Sequence, residues 1–298
     1  MKKFHQNHPA IRGRFAGISL PLLLVTALLG LLLLNSPGSS QDTKAPAPQV
    51  AKPAAATVQP EKILQEACDL LKSAKQFSFK AEITDDRVYT GGKKLQFAFD
   101  LQAYVQRPDK LRINAAGDME NKEFFLDGKT LTLYDKPHNV YATMEAPATI
   151  DAAMDKASKE YGLRVALADL TSENAYTLAT KGTKHTLYVG EGLVRGVKCH
   201  HLAFDRDKIQ WQIWIDAGEK PLIRKLLITQ KKLPAEPQWT AYFADWNFSP
   251  QLTDNLFVFT PPEGAKQIKF MALKEIVAQQ KKKAPAPKKT KKSKGDQS

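Results

Sequence analysis

About eleven short strand-like runs, the first two clearly alternating apolar and polar side chains and all separated by turn residues, leave this chain few ways to fold. Phe77, Phe79, Ala81 and Ile83 alternate with Ser78, Lys80 and Glu82, the period of a strand that rests one face on a core. Gly91 and Gly92 mark a hairpin turn, and a second alternating run follows to Val105. Strand-like runs then recur at Leu111–Ala115, Glu123–Leu126, Thr130–Tyr134, Val140–Met144, Thr186–Val189, Val197–Phe204, Ile209–Ile215, Leu222–Gln230 and Trp239–Trp246. Between them stand Arg107-Pro108-Asp109, Asp127-Gly128, Lys136–Asn139, Gly218 and Pro221, residues that favour turns. Connections this short predict an antiparallel meander.

Two segments have helical spacing instead. From Glu61 to Lys75, Leu64, Ala67, Cys68, Leu71 and Ala74 form one apolar stripe, and Pro60 precedes it, an allowed place for proline. Thr149–Asp151 opens the second, Ile150, Met154 and Ala157 share a face, and Gly162 is its stop. A short turn is expected within 163–170. A sheet of about eleven strands must curl, split into layers or close. If it curls, its concave face is apolar and needs a cover, which the 61–75 helix supplies. The expected fold is mainly β with some α: a strongly curved antiparallel sheet wrapped around one or two helices.

The net charge of +13 suggests a nucleic-acid binder until it is divided along the chain. Lys2, Lys3, Arg12 and Arg14 precede residue 18 without any acid, and Lys281–Lys294 supply most of the remaining excess. Residues 61–280 are left near neutral, so composition does not support a basic nucleic-acid face on the domain. Residues 18–34 are uncharged and leucine-rich. As a helix at about 1.5 Å per residue they reach roughly 26 Å, close to the thickness of a hydrocarbon core. They read as a signal anchor in the inner membrane or as a cleaved signal peptide. Both readings export everything after residue 40, because the early basic residues all lie before the apolar run.

The expected organisation is a basic cytoplasmic region 1–17, the apolar segment 18–35, a linker 36–60, a β domain 61–270 and a Lys-rich tail 271–298. Pro37, Pro46, Pro48, Pro53 and Pro60 make the linker an extended tether of up to about 75 Å. The tail is either a solvated end or a clasp for anionic lipid headgroups or other envelope polymers.

Chemistry is sparse. His200 and His201 are adjacent on a strand, where neighbours face opposite ways, so without a bulge they do not converge on one metal; a zinc site with His185, nearby in sequence, is the weaker reading beside one His in the sheet face and one at solvent. No Gly-x-Ser-x-Gly elbow or phosphate-cradling Gly-rich loop occurs. Neither a cofactor nor a metal is expected, and a hydrolase is the weakest functional reading. Cys68 and Cys199 form a candidate disulfide in an exported chain, worth about 4–5 kcal/mol if unstrained; the alternative is two small buried thiols. Among the strand aromatics, Phe97, Phe99, Phe124, Tyr134, Tyr141, Trp211, Trp214, Trp239 and Phe243 are candidates to line a pocket for a lipophilic ligand. The alternative is an ordinary core filled by the helix.

Several motifs carry a family resemblance. Gln106-Arg-Pro-Asp-Lys-Leu-Arg112 and Phe124-Phe-Leu-Asp-Gly-Lys-Thr-Leu-Thr-Leu-Tyr-Asp135 resemble paired signatures of the LolA/LolB-like lipoprotein-carrier superfamily. The longer pattern is more similar still to predicted bacterial periplasmic proteins of the domain of unknown function 2092. It runs through Tyr141-Ala-Thr143, Tyr188-Val-Gly190, Gly196–Phe204, Trp211–Asp216, Pro221–Lys225 and Asp245-Trp-Asn247 to Phe257–Gly264. The resemblance implies an unclosed β-barrel holding helices in its mouth, in the periplasm of a Gram-negative bacterium. The better-known relatives shuttle acylated lipoproteins in an apolar cavity. The functional expectation is therefore a non-enzymatic envelope protein that binds or carries a lipophilic ligand or an acylated partner on its concave face. The alternative is a structural or interaction module with a filled core.

Overall fold

Pro60 opens the first helix, α1 (Pro60–Ser73), whose buried face is Leu64, Ala67, Cys68 and Leu71. That is the stripe read from the sequence. The computed structural model describes residues 58–275. The apolar segment 18–35, all but the end of the 36–60 linker and the Lys-rich tail from 276 onward lie outside the described residues.

Six strands follow in a meander: β1 (Gln76–Val88), β2 (Lys94–Gln106), β3 (Lys110–Gly117), β4 (Asn121–Asp127), β5 (Thr130–Asp135) and β6 (Val140–Glu145). The chain then leaves the sheet for α2 (Ile150–Tyr161), a 3-10 turn at Ala168–Thr171 and α3 (Ala175–Thr180). The α2 boundaries are those that its capping residues dictate. Thr149 accepts the Ala152 amide through its side chain, and Gly162 stops the helix at φ +67°, a left-handed conformation that glycine adopts without strain. A second meander returns as β7 (His185–Val194), β8 (Val197–Asp205), β9 (Ile209–Asp216), β10 (Ile223–Gln230) and β11 (Gln238–Asn247). Lys266–Ile268 adds β12, a twelfth strand that the sequence pattern did not reveal.

The strand order is β12-β6-β5-β4-β3-β2-β1-β11-β10-β9-β8-β7, one sheet whose two ends do not meet. The expected single meander is corrected on one point: β6 does not lead into a neighbouring β7. The helical crossover carries the chain to the opposite end, so the second meander runs back to β1 and closes the centre of the sheet through the β1–β11 pair. β12 is also the one parallel neighbour, lying against β6.

One buried cluster spans the concave side from Ile113 and Phe124 on one flank to Phe204 and Trp211 on the other. Within it sit the packed faces of α1 and α2. A curved sheet folded around helices is the arrangement that lets residues from both ends share one core. The convex side is not uniformly wet. Past β11 the chain crosses it, and Phe259 lies 5.2, 5.4 and 5.0 Å from the rings of Phe125, Tyr134 and Tyr141. Phe257 on the same strap is fully buried. Arg112 clamps the strap by donating to the Leu256 carbonyl while lying over the Phe125 ring.

Candidate functional site

Strand alternation divides the nine candidate aromatics between the two faces. Phe97, Phe99, Phe124, Trp211, Trp239 and Phe243 share the face of the buried α1 stripe, because each pairs in register with a residue of that face. Tyr134 and Tyr141 lie opposite each other on the convex side, under the strap. Trp214 is convex too, stacked on His201 at 4.0 Å and with the Lys225 ammonium 4.4 Å from its ring centroid.

The six concave residues do not form one pocket. Phe243 belongs to a filled cluster with Phe79 and Trp246, at ring separations of 5.7 and 5.8 Å, and Phe124 is buried in the core. Phe77, Phe79 and Trp246 are missing from the nine candidates, although alternation along β1 already marks the first two as inward. The others converge. Phe204, Trp211, Ile228, Trp239, Asp85 and Phe97 are successive cross-strand partners in one row from β8 to β2. The next row inward ends on Ile83 and Phe99.

Burial falls along that row. Phe204 is fully buried and stacks on Trp211 at 4.1 Å, under the side on which α1 packs, where Glu61 accepts from the Thr186 hydroxyl. Ile228, Trp239 and Phe97 are only half-buried. Ile83 and Ala241 are fully buried, so the covering thins only at the outer row, just outside them, where Ile228, Trp239 and Phe97 form a half-buried apolar strip across β10, β11 and β2. Its rim is polar: Arg87 sits 5.6 Å over the Phe97 ring, 3.0 Å from Asp85 and 3.7 Å from Glu120. Within the row the Trp211 indole N–H is buried and has no acceptor among the described residues. An unpaired buried donor costs about 1–3 kcal/mol, which an incoming oxygen would recover.

A second, open cleft of about 640 Å³ lies between α2, β6 and β12, lined by Met144, Lys156, Tyr161, Ile268, Lys269 and Phe270 among others. None of the nine candidates reaches it.

The histidines behave as alternation requires. His200 faces inward, 3.1 Å from the Tyr188 hydroxyl, and His201 faces outward, 2.9 Å from Gln212. Among the described residues no group of three or more His, Cys, Asp or Glu is placed to hold a metal. Both cysteines are buried free thiols. Cys68 is on the core face of α1, whereas Cys199 has the parity of His201, on the side of the sheet away from α1. Burial and the neighbouring Asp69 push the Cys68 thiol up to about 11; burial, with Asp216 beside it, also raises Cys199.

Residues 60–271 match the family described as "Predicted periplasmic protein (DUF2092)". The chain belongs to this family. It is a periplasmic protein. No curated protein matches it. Among solved structures, it is similar to an uncharacterized conserved protein from Thermus thermophilus, at 10% identity over 70% of this chain and 98% of that one, TM-score 0.43. It is also similar to the lipoprotein LppX of Mycobacterium tuberculosis, at 11% identity over 65% and 98%, TM-score 0.39. A LolA superfamily protein from Nitrosomonas europaea shows 10% identity over 68% and 99%, TM-score 0.34.

The family motifs fall at joints of the fold. Arg107, in the first motif, donates to the Thr171 carbonyl at 2.6 Å and to the Leu71 carbonyl of α1 at 3.3 Å, tying the helices to the β2–β3 turn. Asp127-Gly128 makes the β4–β5 turn: Asp127 accepts the amides of Lys129 and Thr130, and a Cβ on Gly128 would meet Asp109 Oδ2 at 2.5 Å. Phe257–Gly264 contributes the strap.

Proposed function

We propose that this periplasmic protein holds a lipophilic group, a free acyl lipid or the acyl chain of a lipidated partner, on the half-buried strip of its concave face. The observation that supports the reading is the end of that row: Ile228, Trp239 and Phe97 turned toward the core side and half-buried, next to the buried Phe204–Trp211 stack. Ile228, Trp239 and Phe97 would wall an acyl chain, since burying apolar surface is favourable by about 25 cal/mol per Å². Trp211 would donate its unpaired N–H to a carbonyl or ester oxygen. Arg87, held by Asp85 and Glu120, would keep the rim wet and limit how far the apolar group extends. No bond is made or broken in this reading.

The test uses the full-length protein, purified into a lipid-free amphipathic polymer. Native mass spectrometry should show added mass from a bound lipid, and bromine-labelled stearate should quench tryptophan fluorescence. Trp239→Ala should weaken that quenching about tenfold or more, while Trp214→Ala, on the convex face, should not. A protein without added mass that ignores the probe, or equal effects of the two variants, would overturn the reading. It would favour a structural module instead, for which the filled cluster of Phe77, Phe79, Phe243 and Trp246 already speaks.

A further inference from the structure

At the β12 end of the sheet the chain parts from the edge before the edge runs out. β12 accompanies β6 only as far as the Ile268–Ala142 pair, whereas β6 continues to Glu145. Phe270 packs instead on Tyr161, the last residue of α2, with ring centroids 5.2 Å apart. The 640 Å³ cleft opens in this gap. Its walls are apolar at Met144, Ile268 and Phe270, and Lys156 and Lys269 line it against one acid, Glu145. Lys156 donates to the Glu145 carbonyl at 2.8 Å, a bond that leaves its charge uncompensated. The segment leading away has the same mixed character. Ile268, Met271 and Leu273 are 50%, 45% and 38% exposed. Lys266, Lys269 and Lys274 stand among them, all exposed, and no ion pair among the described residues takes them up. Scattered exposed apolar residues need no explanation, but three within six residues, interleaved with unpaired lysines, do. Nor is the segment loose: Leu273 lies so close to Gly162 that a Cβ there would meet its Cδ1 at 2.4 Å.

We propose that this edge, residues 266–275 with the cleft beside them, docks the domain on an anionic phospholipid bilayer. Met271 enters the headgroup layer, and a lipid phosphate seats between Lys156 and Lys269. Charge complementarity selects the occupant. An amphiphile with an anionic head and an apolar tail satisfies both halves of the surface at once, the phosphate meeting the ammonium groups and the chain meeting Met144, Ile268 and Phe270. Apolar side chains interleaved with lysines are the composition of interfacial membrane segments, in which burial and attraction to anionic lipid add. Glu275 is the one acid in 266–275, and beyond it the sequence adds Lys281, Lys282 and Lys283 before any further acid. Near an anionic surface each lysine contributes about fivefold in affinity. Because the body is near neutral overall, a local excess at this edge orients the domain as well as attracting it. None of these residues belongs to the strip from Trp211 to Phe97, so the docking stands or falls separately from the proposed ligand site.

The experiment uses the full-length protein, transferred from the amphipathic polymer into lipid nanodiscs. Met271→Cys takes a polarity-sensitive thiol dye selectively, because Cys68 and Cys199 are buried. In discs containing phosphatidylglycerol the emission should shift to the blue and be quenched by a spin-labelled lipid; in phosphatidylcholine discs it should do neither. The same dye on Leu95→Cys, exposed at the β1–β2 hairpin, should report water in both. Lys156→Gln combined with Lys269→Gln should lower the ratio of docked to free dye about twenty-five-fold, from the fivefold that each lysine contributes. Salt at about 0.5 M should weaken docking in the same direction. A chain ending at Gln280 should still dock. Equal responses at the two dye positions, indifference to phosphatidylglycerol, no effect of the lysine substitutions, or complete loss on removing residues 281–298 would each overturn the proposal. A dye response seen only when other envelope proteins are added would overturn it too, and would assign the surface to a protein partner.

Discussion

Arg107→Ala tests what holds the helices inside the curved sheet. The guanidinium donates at 2.6 Å to the Thr171 carbonyl and at 3.3 Å to the Leu71 carbonyl, one of the last four of α1, which have no partner inside the helix. Thr171 is fully buried, so its carbonyl cannot turn to water once the donor is gone. Hydrogen bonds from a charged donor contribute about 1.5–3 kcal/mol each, and the longer one belongs at the low end. Burial already pulls the Arg107 pKa down, with Glu173 and Asp151 opposing it, so part of that gain is offset by desolvation. A net loss of about 3 kcal/mol follows. For a domain of this size that lowers Tm by about 6–12 °C. Urea denaturation followed by near-ultraviolet circular dichroism should show the midpoint fall with an unchanged slope. Arg107→Lys should lie between, because an ammonium reaches one carbonyl but not both with the same geometry. A loss below about 0.5 kcal/mol for the alanine variant would refute the idea that this side chain anchors α1 and the following 3-10 turn to the sheet.

Phe257→Ala removes a fully buried ring from the strap and should cost about 3–5 kcal/mol, measured by the same denaturation. It should also raise protease cleavage around residues 250–265; an unaltered midpoint would mean that the strap does not pack as described. Thiol counting should find two unreactive thiols in the native protein and two reactive ones in denaturant without reductant, and a missing thiol would mean that the pair oxidises. The Cys68 thiol, raised from 9.0 to about 11, keeps its proton in the native state while the unfolded chain releases it, so this group's contribution is full below pH 9 and is lost as pH rises toward 11. The wild-type urea midpoint should therefore fall more steeply over pH 9–11 than that of Cys68→Ala, and parallel curves would remove the argument.

Period-two alternation and turn residues placed β1–β11, with β7 read at less than half its length, and α2 was readable from Thr149 and Gly162 because both ends carried capping chemistry. β12 and α3 were not legible. Three residues show no period, and Ala175–Thr180 is stabilised by packing against α1 rather than by propensity. The harder failure concerned which face was which. Phe124, Phe125 and Leu126 are all buried, because the core covers one side of β4 and the strap covers the other. Where both faces are dry, alternation cannot say which one looks inward. Tyr134, Tyr141 and Trp214 therefore read as equal to Trp211 and Trp239, and Cys199 read as a neighbour of Cys68. Cross-strand register separates them, and register depends on which strands pair, which the helical crossover decides.

The β1–β11 pair matches Asp85 with Trp239, residues far apart along the chain. Non-local closures of this kind are made late and slowly. An exported polypeptide of this family would emerge with its first meander complete and the inner edge of β1 bare until the last long strand has crossed. Its greatest exposure to aggregation thus falls during secretion, and a periplasmic holdase would act on the half-made sheet rather than on the finished one.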